Sequence, residues 1–169
     1  MNARPVQPER PEIRVKVADF AVARGDVVIV TVGLGSCIAI ALYDAVARVG
    51  ALAHILLPSE GMSPDTRNGA KFPSTAVPLL RERMRALGAQ DGRLRAKLAG
   101  GASMFASLLP GAGVSMGERN VLASRGALER AGIPIVGQDV GGGHGRSVYF
   151  YLGTGELHVR SLKMGDVVL

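Results

Sequence analysis

Apolar positions in this chain come in short runs, and the runs differ in period. In "IRVKVADFAVA", Ile13, Val15 and Val17 alternate with Arg14 and Lys16, the period-two pattern of a half-buried strand, so the spacing predicts one strand there. "DVVIVTVG" is continuously apolar and β-branched and predicts a buried strand. "CIAIALYD" and "VGALAHILLP" are two more such runs. The short intervening "DAVAR" predicts that they pair as an antiparallel hairpin.

The pattern then changes. "PSEGMSPDTRNGAKFPS" is rich in Gly, Pro, Ser and Asn and reads as a long loop, a kind of segment that often carries function. A helical period follows: Val77, Leu80, Met84 and Leu87 share a face, Thr75 is the expected N-cap, Pro78 falls in the first turn, and Gly88 ends the helix. "RLRAKLAGGASMF" predicts a strand entering a Gly-Gly turn, and "LLPGAGVSMGER" a loop. A second helix is expected over roughly 120–131, stopped by Gly132 and Pro134. "IPIVGQDVGG" predicts a strand, and "RSVYFYLGTGELHVRSL" a hairpin turning at Gly153-Thr154-Gly155. Strands, helix, strand, helix, strands is the order of one α/β domain of mixed α+β type, expected over 12–169. Residues 1–11, polar and Pro-rich, are expected to be a disordered tail rather than a signal peptide.

Composition narrows the function classes. A single cysteine excludes an internal disulfide and a thiolate zinc cluster and fits a reducing cytoplasm. No apolar run approaches the ~18 residues needed to span a bilayer. The net charge of +6 suits an acidic partner, but aromatics are only 4% of residues and no nucleic-acid-binding motif is present, which sets nucleic acid aside. Neither His144 nor His158 has ligand spacing, so no metal is expected, and no cofactor.

The lone thiol, Cys37, follows the turn Gly33-Leu34-Gly35-Ser36. With a hairpin turn centred near Ala45 and Val46, position 37 lies opposite His54, placing thiol and imidazole on one face for Cys–His nucleophilic catalysis. A one-residue slip would put His54 on the other face. Thr31, six residues before Cys37, is a candidate to orient the imidazole; a buried Thr is also an ordinary strand former. Backbone N–H groups around Gly33, Gly35 and Ser36 are candidates for an oxyanion hole. Cys37 is therefore expected to be an exposed, activated thiol that alkylates below the free-thiol pKa of ~8.5. "GGGHGR" lacks the ending of a P-loop and reads as a glycine-rich turn, with Arg146 lining a site.

Taken in order, "TVGLGSCIAIALYD", "GALAHILLP", "AKLAGGASMF", "GERNV" and "GIPIVGQDVGGGHGRSVYFYLGTGELHVR" resemble the chemoreceptor glutamine deamidases of bacterial chemotaxis, the CheD family. The most specific part is Gly-Leu-Gly-Ser-Cys followed seventeen residues later by the His of Ala-His-Ile-Leu-Leu-Pro. The resemblance implies a layered α/β sandwich with largely antiparallel mixed sheets, similar to the catalytic domain of cytotoxic necrotizing factor toxins. It implies a catalytic set of Cys37, His54 and Thr31. The implied substrate is a glutamine side chain on the cytoplasmic helices of a methyl-accepting chemoreceptor, converted to glutamate with release of ammonia. In some members it implies hydrolysis of glutamyl methyl esters and binding of a CheC-type phosphatase. Two positions depart from the family's pattern: Pro73 follows Lys71-Phe72 where an acidic residue is usual, and Ser103 stands where Asn is usual.

The expected function is thus a cytoplasmic protein-glutamine deamidase working through a Cys37 thioester. Its rivals are a non-catalytic adaptor that docks receptors and the phosphatase, and a glutamyl methylesterase using the same residues.

Overall fold

The structure, a computed structural model, describes residues 9–105, 108, 111 and 113–169. Ten strands and two helices follow one another: β1 Glu12–Arg14, β2 Phe20–Arg24, β3 Val28–Leu34, β4 Ile38–Asp44, β5 Val49–Ile55, α1 Pro73–Ala86, β6 Arg95–Gly100, α2 Met116–Arg130, β7 Ile135–Val140, β8 Arg146–Tyr151, β9 Glu156–Arg160 and β10 Val167–Val168. The strands form two five-stranded sheets, ordered β1-β3-β8-β9-β10 and β2-β5-β4-β6-β7. Each sheet has one parallel pair, β1 with β3 and β6 with β7, and is otherwise antiparallel. The mixed α+β class expected from the element order is what the chain adopts.

The layers follow from strand alternation. In β4, Ile38, Ile40 and Leu42 face the helices, and so do Val49, Ala51, Ala53 and Ile55 of β5. They pack on Val77, Leu80 and Met84 of α1 and on Val121, Ala127 and Leu128 of α2. Burying a side chain such as Leu80 contributes about 1.5–3 kcal/mol. The opposite face of the same strands, Ala39, Ala41 and Leu52, packs on Ile29, Val148, Phe150 and Leu157 of the other sheet. Small residues there let the sheets close: a Cβ on Gly50 would lie 2.2 Å from Leu152 Cδ2. No helix among the described residues is long and apolar enough to cross a membrane.

Several local expectations are corrected. The alternating run from Ile13 is two strands in different sheets, because Ala18 takes a positive φ of 58° and swings the chain from one sheet to the other. The N-cap of α1 is Phe72, with Pro73 at the first helical position, where its missing N–H is harmless. Thr75 lies inside the helix and donates its hydroxyl to the Gly69 carbonyl at 2.7 Å. Pro78 therefore sits beyond the first turn; it and Ser74, whose carbonyl loses a helix bond, are both exposed, so water can satisfy that carbonyl. Leu87 caps the C-terminus and is partly exposed rather than among the buried residues of the packed face. The second helix begins at Met116, earlier than expected, because Ser115 and Glu118 form a capping box.

Residues 1–8 of the expected tail, and 106, 107, 109, 110 and 112 of the loop before α2, lie outside the described residues. Pro11 already accepts a bond from the Val28 N–H at 2.9 Å.

Candidate active site

The β4–β5 hairpin pairs Asp44 with Val49, so its four-residue turn is centred between Val46 and Ala47 rather than near Ala45 and Val46. Asp44, fully buried, accepts from the N–H groups of Val46 and Ala47, while Arg48 takes a φ of 53°. The Gln90 N–H and Arg93 donate to the same carboxylate, each at 2.9 Å, and Ala47, Gln90 and Arg93 together hold it below the usual carboxylate range despite burial. This fixes the register, and it corrects the expected one: His54 lies opposite Ala39, not Cys37. The displacement is two residues, and an even shift leaves every side chain on its original face. Cys37 and His54 therefore share the face between the sheets, as diagonal neighbours. Such positions lie roughly 7–8 Å apart along the backbone, within reach of an imidazole.

Thr31 reaches this site from β3 in the other sheet. Its hydroxyl oxygen lies 2.7 Å from His54 Nδ1 and 2.7 Å from the Val15 carbonyl oxygen. A carbonyl only accepts, so the single hydroxyl proton goes to Val15. The hydroxyl must then accept from His54, which places the imidazole proton on Nδ1. Nε2 is left with a lone pair, and it is buried with no hydrogen-bond partner among the described residues. The backbone of His54 is held as firmly: its carbonyl accepts from Ala18 N–H at 2.9 Å and its N–H donates to Asp19 at 3.0 Å. The segment between β1 and β2, expected to be plain strand, thus supplies both the acceptor for Thr31 and the clamp on His54.

The thiol-bearing turn is anchored from elsewhere. Gly101 N–H donates to the Cys37 carbonyl and Ala102 N–H to the Gly35 carbonyl, each at 2.8 Å. Asn120 of α2, fully buried, donates through Nδ2 to the Ser36 carbonyl at 2.8 Å and to the Leu56 carbonyl at 3.3 Å. Reading the sequence singled out none of these for the site; the available signal was a polar Asn on the apolar face of a helix, visible only once that helix starts at Met116. Gly33 sits in a bulge of β3 with a φ of 74°, and this bend sends the chain toward Cys37. Arg146 is buried rather than lining an open site. It pairs with Asp139 at 3.2 Å and reaches the Gly100 carbonyl at 3.4 Å, bracing the same turn. Ser103, at the second departure position, bonds Ser115, the N-cap of α2.

Gly100 lies directly against the Cys37 backbone. Its φ is 111°, and a Cβ there would stand 2.3 Å from the Cys37 carbonyl oxygen. Gly100→Ala is expected to cost about 1–3 kcal/mol for the strained backbone alone and to displace Cys37. Thermal unfolding together with thiol reactivity checks this, and an unchanged Tm would refute it.

The electrostatics correct one expectation. Cys37 is only 9% exposed, because it packs between the sheets with Ala39 and Ala99. Burial pushes its thiol above the ordinary value, partly opposed by its own backbone N–H. Burial pushes His54 below the ordinary imidazole value. Both shifts disfavour charge, so the resting pair is neutral thiol and neutral imidazole, not an exposed thiolate. Alkylation of the native protein is accordingly expected to titrate with a midpoint above ~8.5. A midpoint below that value would mean that the ion pair is held at rest.

The sequence model of the family described as CheD chemotactic sensory transduction matches residues 56–161. A protein of Caldanaerobacter subterraneus named "Probable chemoreceptor glutamine deamidase CheD" is 43% identical over 153 residues, covering 90% of this chain and 94% of that one. The "Probable chemoreceptor glutamine deamidase CheD 2" of Geobacter metallireducens is 48% identical over 152 residues, covering 89% and 94%. Among solved structures, a Neisseria meningitidis protein of the family-model DUF152 aligns with a TM-score of 0.45 at 15% identity, covering 79% of this chain and 63% of that one. With identity above 40% across nine-tenths of its length, a span that includes Thr31, Cys37 and His54, the chain belongs to the CheD family.

Proposed function

We propose that this protein is a protein-glutamine deamidase of bacterial chemotaxis, converting glutamine side chains on the cytoplasmic helices of chemoreceptors to glutamate. The observation that carries the reading is the hydroxyl of Thr31, whose only proton goes to Val15 and which therefore fixes His54 with Nδ1 protonated and Nε2 free. That is a base held in one tautomer on the same sheet face as the only thiol in the chain.

His54 Nε2 takes the Cys37 proton as the sulfur attacks the amide carbon, so charge forms only when substrate is present. The tetrahedral intermediate places its oxyanion near the backbone N–H groups of the turn, for which Gly33, Gly35 and Ser36 were the first candidates. Collapse breaks the C–N bond, and the Nε2 proton leaves with ammonia. The thioester is then attacked by water, which gives a proton to Nε2; release of the carboxylate returns the thiol. Amide plus water becomes carboxylate plus ammonium, and no cofactor is consumed. A glutamyl methyl ester would enter the same cycle with methanol as leaving group.

Choosing one glutamine on a receptor coiled coil requires contacts with the helix around it, and the segments 59–74 and 141–146 are the proposed walls of that docking surface. A CheC-type phosphatase presenting a similar helix is proposed to compete for the same surface, and the protein to act in the cytoplasm. Mass spectrometry of a helical receptor fragment incubated with the protein is expected to show glutamine-to-glutamate conversion, a gain of about one mass unit per site. A peptide of the same sequence too short to be helical is expected to react with kcat/KM lower by on the order of tenfold or more. Conversion of neither substrate would overturn the reading, and equal rates would overturn helix presentation.

A further inference from the structure

We propose that the N–H groups of Ser36 and Cys37 form the oxyanion hole, and that Asn120 is the positioning residue that, with the Ala102 N–H, aims them at the substrate. The inference rests on the deamidase reading and names donors and a residue that the reading alone does not require.

The peptide unit is planar and trans, so the C=O of one residue and the N–H of the next point in opposite directions. Fixing a carbonyl therefore aims the following N–H. Three consecutive carbonyls of the nucleophile turn are fixed in this way, each from the same side of the molecule. Ala102 N–H holds Gly35, Asn120 Nδ2 holds Ser36, and Gly101 N–H holds Cys37, all at 2.8 Å. The anchors belong to the turn after β6 and to α2, so the N–H groups of Ser36 and Cys37 point away from both. Among the described residues neither N–H has a backbone or side-chain acceptor of the usual kind. The Cys37 N–H also partly opposes the effect of burial on its own thiol.

That placement matches the bond changes. When the sulfur bonds to the amide carbon, the C=O π pair moves onto oxygen, two bonds from the sulfur. Donors on the nucleophile's own residue and the residue before it are within reach of that oxygen. When the C–N bond breaks the pair returns to the carbonyl, so the donors are needed most in the intermediate.

Packing alone does not account for Asn120 in a helix core. It is fully buried, and among the described residues its Oδ1 has no hydrogen-bond partner, which costs free energy for a buried acceptor. An apolar residue of the same size would avoid that orphan acceptor. Only the Nδ2 donor is used, and it spans the Ser36 carbonyl beside the thiol and the Leu56 carbonyl two residues beyond His54.

The test compares the wild-type chain with Asn120→Leu, using deamidation of a helical receptor fragment and alkylation by iodoacetamide. Alkylation expels iodide and builds no oxyanion, so it reads the thiol and imidazole alone. The expected result is a kcat lower by roughly 10- to 100-fold, with KM and the alkylation rate unchanged. An unchanged kcat overturns the proposal. A parallel fall in turnover and alkylation also overturns it, because Asn120 would then merely hold the turn together. A second measurement needs no variant. A short peptide carrying an aldehyde in place of the glutamine side-chain carboxamide adds to the wild-type thiol as a thiohemiacetal, and the amide proton signals of Ser36 and Cys37 are expected to move downfield while that of Gly33 does not. An adduct that leaves those two signals in place refutes the assignment. Absence of deamidation by the wild-type chain would instead count against the deamidase reading, since the adduct spectrum reads the donors without it.

Discussion

Cys37→Ala is expected to abolish deamidation of a receptor fragment, lowering kcat by roughly 10⁴-fold or more, while the protein stays folded. Removing a nucleophile removes the covalent path itself, and what survives is the contribution of binding and oxyanion donors. The packing cost is small, because Cys37 is a small residue beside Ala39 and Ala99 and its thiol makes no side-chain hydrogen bond among the described residues. A loss of about 1 kcal/mol corresponds to a Tm shift of a few degrees in a domain of this size. Hydroxylamine gives a second reading. It should divert the wild-type thioester to a glutamyl hydroxamate, seen by mass spectrometry, and do nothing with the variant. A Cys37→Ala protein that keeps its full effect on receptor signalling would instead establish the adaptor role.

Thr31→Val should separate orientation from packing. The substitution keeps shape and removes the one group that sets the His54 tautomer. Without it, Nδ1 loses its acceptor and the Val15 carbonyl loses its donor. Leaving such buried groups unpaired costs about 1–3 kcal/mol, which lowers Tm by several degrees without unfolding the chain at room temperature. The effect on turnover is expected to be larger, on the order of 10²-fold in kcat, because a fraction of molecules then carries the proton on Nε2 and cannot accept one from the thiol. Nitrogen chemical shifts of the imidazole provide the direct check: one tautomer with Nδ1 protonated in the wild type, a mixture in the variant. An unchanged kcat in folded Thr31→Val would reduce Thr31 to a strand former.

The acid limb of activity follows from the same environment. His54 must be neutral to act as a base, and burial lowers its pKa, so it stays competent below the usual imidazole pKa of ~6.5. The sign for stability is the opposite of a benefit in acid. The unfolded chain binds a proton at His54 more readily than the folded chain, so stability is full above the unfolded pKa and is lost as pH falls toward the folded value.

Much of this molecule was legible in its residues. Period-two and continuous apolar runs mark the strands β3 to β9, because one-sided or two-sided burial writes itself directly into side-chain alternation. The parity of the hairpin survived a wrong turn centre for the same reason: β4 and β5 each have one face for the helices and one for the other sheet, so only even shifts keep Cys37 and His54 on the buried side. The resemblance of "GLGSC" and "AHILLP" to a known family rested on contiguous residues and was equally accessible.

What the tertiary structure decided were contacts between residues far apart in the chain and the properties that follow from enclosure. The register depends on Asp44 gathering Val46, Ala47, Gln90 and Arg93, not on a recognisable Gly or Asn turn. The tautomer of His54 depends on a carbonyl at Val15 that side-chain patterns cannot reveal, since every residue has one. The thiol's burial depends on the second sheet closing over Cys37, which turns an expected reactive thiolate into a neutral thiol. Local sequence sets which face a side chain takes; only the packed sheets and α2 set which backbone groups meet it there, because those hydrogen bonds are made between segments 16 to 84 residues apart.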